Sequence, residues 1–239
     1  MDNYIPPFDM TNDMFELTGE IMENLGKLSN INELEKLPRL RKVSRVKSIH
    51  SSLAIENNTL SYEQVTDIID GKRVLGPQED IIAVKNAFSA YKELDSVNPY
   101  DLQDLLKIHG IMMNGLVERA GFIRSGDVGV IDGNGNVIHA APPAMMAREL
   151  IEQLFKWVKN ADVQMLIKSS IFHYEFEFIH PFNDGNGRMG RLWQTALLAS
   201  WKPIFKYIPI ESVIKDNQEE YYRAIKISTS ENSSLFRYT

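Results

Sequence analysis

Cysteine is missing from all 239 residues. Its absence excludes disulfides, thiolate metal sites and a cysteine nucleophile. No apolar run reaches the roughly 18 residues that a membrane helix needs. The N-terminus, Met1-Asp2-Asn3-Tyr4, lacks both the basic and the apolar region of a secretory leader. The expectation is a cytoplasmic protein with no membrane partner. Repeats and low-complexity segments are also lacking. Positive charge is in deficit: the formal net charge is -6, which argues weakly against nucleic acid as the main partner. The remainder is ordinary for a soluble globular chain, with 44% hydrophobic and 24% charged residues. The length suits one large domain or two small ones.

One stretch concentrates chemistry: His180-Pro181-Phe182-Asn183-Asp184-Gly185-Asn186-Gly187-Arg188-Met189-Gly190-Arg191. Gly185 and Gly187 reach backbone conformations closed to other residues, and Asn186 tolerates left-handed geometry. Such a turn can aim successive N–H groups into one concavity, an anion nest. The apolar spacing that follows (Leu192, Thr195, Ala196, Ala199) is helical, so the nest opens a helix whose N-terminus favours phosphate. Arg188 and Arg191, three apart, share a face and offer bidentate forks to phosphate oxygens. Asp184 suits Mg2+, which takes few protein carboxylates and completes its shell with phosphate and water. His180 can act as a general base near neutral pH. Each residue taken alone also has a plain structural reading: a turn, an N-cap at Asp184, a packed histidine, solvated arginines. The conjunction is what points to phosphate chemistry.

The stretch resembles the signature of the Fic family, His-x-Phe-x-(Asp/Glu)-Gly-Asn-Gly-(Arg/Lys)-x-x-Arg, at every fixed position. The resemblance implies transfer of AMP from ATP to a hydroxyl of a target protein. It assigns His180 to deprotonating the hydroxyl, Asp184 to Mg2+, and Gly185, Asn186 and Gly187 to cradling phosphates. Arg188 and Arg191 would clamp those phosphates, and Phe182 would anchor the loop. Upstream, Ser52 and Glu56 lie four apart, on one face if helical, and Asn57-Asn58 can stop a helix in left-handed geometry. This resembles the family's inhibitory motif (Ser/Thr)-x-x-x-Glu-(Gly/Asn). Glu56 would then pair with Arg191 and occupy the arginine meant for the γ-phosphate.

Apolar spacing predicts helices over 14–28, about 32–52 after a break at Pro38, 62–70, about 78–94, 101–116, 145–159, 165–179, and from the nest to about 201. A final helix holds Tyr221 and Tyr222. The basic run Arg39, Arg41, Lys42, Arg45 and Lys47 reads as a solvated face, and His109 as structural. Ser61 to Gln64 supplies capping chemistry. Val128–Ile131 and Asn136–Ile138 read as strands joined by the hairpin signals Asp132-Gly133 and Asn134-Gly135. By resemblance the hairpin is a flap over the site. The target's extended segment would add to its edge, and Val137, Ile138 and His139 would line the nucleotide. Tyr221 would lie near the adenine.

The expected fold is mainly α, a helical bundle with that β-hairpin flap. Residues 1–100 form an N-terminal helical region whose inhibitory helix covers about 44–57. Residues 101–239 form the core with its catalytic loop at 180–191. Family members often dimerise, so a homo-oligomer is a further expectation. Family folds commonly continue beyond the position of Phe236, which implies a last helix shortened or missing here. The rival readings are a de-AMPylase, a transferase with another nucleotide donor, and a non-enzymatic nucleotide sensor.

Overall fold

A computed structural model describes residues 4–27, 38–131 and 137–233 of the chain, with side chains of 130–140 and 230–233 left aside. The fold is mainly helical. The helices are α1 (Asn12–Lys27), α2 (Pro38–Ile55), α3 (Tyr62–Ile69), α4 (Gln78–Lys92), α5 (Leu102–Met112), α6 (Ala144–Asn160), α7 (Met165–Ile179), α8 (Asn186–Trp201), α9 (Ile210–Asp216) and α10 (Gln218–Ser233). Two short strands, β1 (Gly129–Ile131) and β2 (Val137–Ala140), pair antiparallel, with an irregularity between Val130 and Ile131. The turn signals Asp132 to Gly135, and Asn136, lie outside the described residues, as do the side chains of Val137, Ile138 and His139.

The centre is α7 against α8. Both are buried on most faces, and Phe172, Phe176, Met189, Trp193 and Leu197 are wholly buried between them and their neighbours. Each large side chain so buried contributes about 1.5–3 kcal/mol. The indole N–H of Trp193 is satisfied by the carbonyl of Pro99 at 3.0 Å, as a buried donor must be. The same apolar cluster takes Val46, Ile49 and Leu53 of α2, Val65 of α3, Val84 of α4 and Leu105 of α5. That packing docks α2 beside the start of α8.

Helix boundaries follow local chemistry. Gln64 N–H donates to the Ser61 hydroxyl and Ser61 N–H to the Gln64 side chain, a capping box. Pro38 opens α2 rather than breaking it, because a proline at the first helical position gives up an N–H that would be unbonded anyway. The helix leading to Glu56 therefore starts before the expected 44–57 and ends at Ile55, with Glu56 in the turn that follows; residues 32–37 of the expected helix lie outside the described residues. It ends as the sequence implied: Asn57 is left-handed, with φ 64°. Asn58 N–H reaches Leu53 O at 3.1 Å and Asn57 N–H reaches Ala54 O at 3.1 Å, a Schellman ending.

The basic run needs one correction. Arg39, Arg41, Lys42 and Lys47 are exposed, but Arg45 is half-buried. Its guanidinium donates to Tyr91 O and lies 5.8 Å from that ring's centre.

Candidate active site

Helix α7 delivers His180 at its C-terminal cap, in left-handed geometry with φ 50° and ψ 61°. Such geometry costs a non-glycine residue on the order of 1 kcal/mol and needs support. The support is Arg124, only 3% exposed. Its side chain donates to His180 O at 2.8 Å, Ile179 O at 3.3 Å, Gly126 O at 3.0 Å, and also to Pro142 O. Its backbone N–H donates to Pro181 O at 2.9 Å. One guanidinium thus ties the cap of α7 to the segments flanking the strand pair. The His180 ring lies 3.3 Å from Glu177 O through Nδ1. A proton on Nδ1 makes Nε2 the basic nitrogen.

The loop after His180 is held from both sides. Phe182 is fully buried, and its ring stacks on His109 at 3.6 Å with planes 6° apart. Gly121 N–H donates to His109 Nδ1 at 2.8 Å, so Nε2 carries the proton and donates to Asp184 O at 3.0 Å. Burial pushes the His109 pKa down, which keeps the ring neutral. His109 packs as a structural residue, and what it holds is the loop through Phe182 and Asp184. The Asn186 side chain makes a two-way bond with the Phe182 backbone, at 2.9 and 2.8 Å. Asn186 therefore commits its side chain to the loop and offers a ligand its backbone N–H.

Gly185 caps α8 in left-handed geometry, φ 82°. The first helical bond runs from Met189 N–H to Gly185 O at 3.0 Å. The N–H groups of Asn186, Gly187 and Arg188 thus have no intrahelical acceptor. Asp184 Oδ1 accepts from Gly185 N–H at 2.5 Å and from Arg188 at 3.2 Å. Its side chain is 57% exposed, whereas that of Arg188 is only 10% exposed. Two clefts, of about 360 and 170 Å3, meet at Asp184.

Arg191 lies one turn further along, nearly dry. Its Nη2 donates to Glu56 Oε1 at 2.7 Å and to Ser52 O at 3.0 Å, and its Nε to Ser52 Oγ at 3.2 Å. Burial opposes the arginine's charge, but the paired Glu56 carboxylate outweighs it and holds the guanidinium more firmly charged than usual. Glu56 Oε1 is 2.5 Å from where a Cβ on Gly187 would sit. The carboxylate fills the space over the nest, and only glycine leaves it room.

Two further groups face this region. The Glu177 carboxyl is pushed up to about 7 by burial, with Arg191 opposing and Glu56 adding to the rise. Its Oε1 has no hydrogen-bond partner among the described residues. Tyr221 bonds His173 Nε2 at 2.7 Å, and burial pushes that imidazole down to about 4.

The structure thus brings His180, Asp184, Gly185, Asn186, Gly187, Arg188, Arg191, Ser52 and Glu56 to the start of one helix. Arg124, His109 as a loop brace, and Glu177 escaped the sequence reading. Nothing in Gly121-Phe122-Ile123-Arg124 announces that its arginine is buried.

This is a mainly helical protein whose candidate site lies where the loop after His180 opens α8. The sequence profile of the Fic/DOC family matches residues 99–198. A Fic family protein of known crystal structure from Desulfovibrio desulfuricans is 48% identical, with a TM-score of 0.91 over 95% of this chain and 70% of that one. The chain belongs to the Fic family. Among curated relatives, the protein adenylyltransferase Fic of Culex quinquefasciatus is 29% identical, matching 84% of this chain and 40% of its own length. The protein adenylyltransferase of Caenorhabditis elegans is 26% identical, over 75% of this chain and 36% of its own. The chain therefore spans well under half the length of these relatives. No described helix is long and apolar enough to cross a membrane.

Proposed function

We propose that the chain is a protein adenylyltransferase that moves AMP from ATP to a Ser, Thr or Tyr hydroxyl of a target protein and is restrained by Glu56. The observation that carries this reading is the opening of α8 just after His180: its first N–H groups have no intrahelical acceptor, and Asp184 and Arg188 line a cleft beside them. His180 Nε2 takes the hydroxyl proton as the oxygen attacks the α-phosphorus. The bond from that phosphorus to the bridging oxygen breaks, and pyrophosphate leaves. The N–H groups of Asn186, Gly187 and Arg188, with the Arg188 fork, offset charge on the phosphates. Catalysis of this kind rests on positioning and electrostatics.

Asp184 fits the role of holding Mg2+. Its carboxylate is exposed where the clefts meet, with one oxygen already used by the Gly185 N–H and Arg188. Among the described residues no cluster of three or more His, Asp or Glu could hold a metal alone. A cation at Asp184 would complete its shell with phosphate oxygens and water, and would neutralise charge there.

In this reading residues 1–100 are a regulatory region packed on the core of 101–239. Ser52 and Glu56 keep Arg191 from the γ-phosphate. The strand pair is the flap that takes the target's extended segment, with Val137, Ile138 and His139 beside the nucleotide and Tyr221 near the adenine. The position of Glu56 over Gly187 also supports a second reading, in which the carboxylate orients water to remove AMP from a modified protein.

The test incubates wild type, Glu56→Gly and Glu56→Gly/His180→Ala with Mg2+ and α-labelled ATP. The expected result is label on protein from the single variant that disappears in the double variant. No label from Glu56→Gly, with nucleotide binding verified separately, would sink the transferase reading. Release of AMP from a pre-labelled target by wild type, lost in Glu56→Gly, would select the second reading.

A further inference from the structure

A cavity of about 590 Å3 lies away from the loop of His180 to Arg191, against the N-terminal half of α2, α4 and the turn after α8. Small-molecule sites span roughly 300–1,000 Å3. Arg41, Lys42, Arg45, Lys92 and Lys206 line it, against the carboxylates Asp70 and Asp95. Lys42 is paired with Asp70, and Lys206 with Asp95 at 2.5 Å. Arg45 is committed to the carbonyl of Tyr91. That leaves Arg41 and Lys92 without a carboxylate partner among the described residues. Cations gathered around one concavity add up to a positive potential there. Phe88 and Val46 add apolar wall beside them.

We propose that this cavity is a second anion site, separate from the nest, that takes a small ligand carrying two or more phosphates and steadies α2 when occupied. Arginine forks and lysine ammoniums are the groups that recognise phosphate. The cavity side of α2 runs on through the helix. Arg45 grips Tyr91, and the Tyr91 hydroxyl donates to Glu211 at 2.6 Å. Ser48 donates to the other Glu211 oxygen at 2.8 Å, and Ser52, one turn on, holds Arg191. Residues 45, 48 and 52 are spaced to share one face of the helix. A ligand that fixes Arg41 and Arg45 therefore fixes the helix that carries Ser52 and ends one residue before Glu56. The regulatory consequence rests on the proposed role of Glu56, whereas the binding does not.

The experiment is calorimetric titration of the whole chain with inorganic tripolyphosphate. It compares wild type, Arg188→Ala to weaken the nest, and Arg188→Ala/Arg41→Glu/Lys92→Glu. Arg41 and Lys92 are exposed, so their replacement spares the core. Binding should persist in Arg188→Ala and weaken about tenfold or more on reversing the two cavity charges. The neutral pair Arg41→Gln/Lys92→Gln in the same background should fall between. Amide hydrogen exchange over residues 48–55 should slow with tripolyphosphate in Arg188→Ala and not in the charge-reversed protein. ATP binding tighter than tripolyphosphate at the cavity would identify a nucleotide as the ligand, and the reverse order a free oligophosphate. No binding to Arg188→Ala, or binding untouched by the cavity substitutions, would overturn the proposal. Unchanged exchange over 48–55 would remove the link to α2. None of these readouts uses nucleotide transfer, so they stand apart from the test of the proposed function.

Discussion

The two ends of α2 carry the same kind of chemistry in opposite surroundings. At the C-terminal end Glu56 meets an Arg191 side chain that is 2% exposed. At the N-terminal end Lys42 meets Asp70 with side chains 45% and 33% exposed. Ion pairs in water contribute about 0–1 kcal/mol and are screened by salt. The Glu56 carboxylate is 32% exposed, so the difference lies in Arg191: removing Glu56 strands a buried guanidinium that solvent cannot reach. One helix thus leads at one end to a buried arginine and carries at the other exposed charges that act together or hardly at all. The buried middle, where Ser48 and Tyr91 both donate to the 1% exposed Glu211, joins them.

The largest expected effect breaks the Glu56–Arg191 pair. Glu56→Gly should raise nucleotide transfer roughly 5- to 150-fold, the span of 1–3 kcal/mol of coupling between two sites. An unchanged rate from an Arg191 so released would mean that the lock is not inhibitory. Next is the middle: Ser48→Ala leaves Glu211 with one donor fewer, at a cost of about 2 kcal/mol. The thermal midpoint should fall roughly 2–4 °C for each kcal/mol lost, and no fall would disconnect α2 from α9.

The third effect concerns Glu177, which faces the Glu56–Arg191 pair. Its folded pKa, raised to about 7, keeps a proton that the unfolded chain has already lost. Stability from this group is complete below the usual carboxylate range and is lost as pH rises through about 7. His173 runs the other way. Held down to about 4, its contribution is complete above the ordinary imidazole range and is lost as pH falls through about 4. The two slopes oppose each other between the ordinary carboxylate and imidazole pKa values. Glu177→Gln should remove one of them. Denaturant titrations of the variant should then show stability rising with pH across that window, gaining on wild type by on the order of 1–2 kcal/mol at neutral pH. Parallel pH curves would mean that Glu177 is ionised in the fold. The smallest effect tests the exposed end. Lys42→Ala should change stability by no more than about 0.5 kcal/mol, and 0.5 M salt should erase even that.

Much of the site was legible because its residues are consecutive. Between His180 and Arg191, spacing alone sets which groups share a turn and which N–H groups open α8. The Asn57 ending and the Ser61 capping box were equally readable, since each is decided within six residues. Arg124 was not. An arginine after Gly121-Phe122-Ile123 reads as surface, and only the fold shows it gripping the carbonyls of Ile179 and His180. Arg45 failed for the same reason: a basic run looks solvated until one member is seen turned toward Tyr91.

By itself, the sequence determined the helical elements, the turn that opens α8 and the candidate residues at His180 and Glu56. These depend on local backbone preference and on side-chain type at short spacing. The tertiary structure alone decided that Glu56 lies over Gly187, that His109 stacks on Phe182, and that five cations share a cavity at the other end of α2. Those pairings join residues far apart in the chain. They arise because burying the apolar faces of α2, α7 and α8 leaves only one way for the polar groups between them to meet.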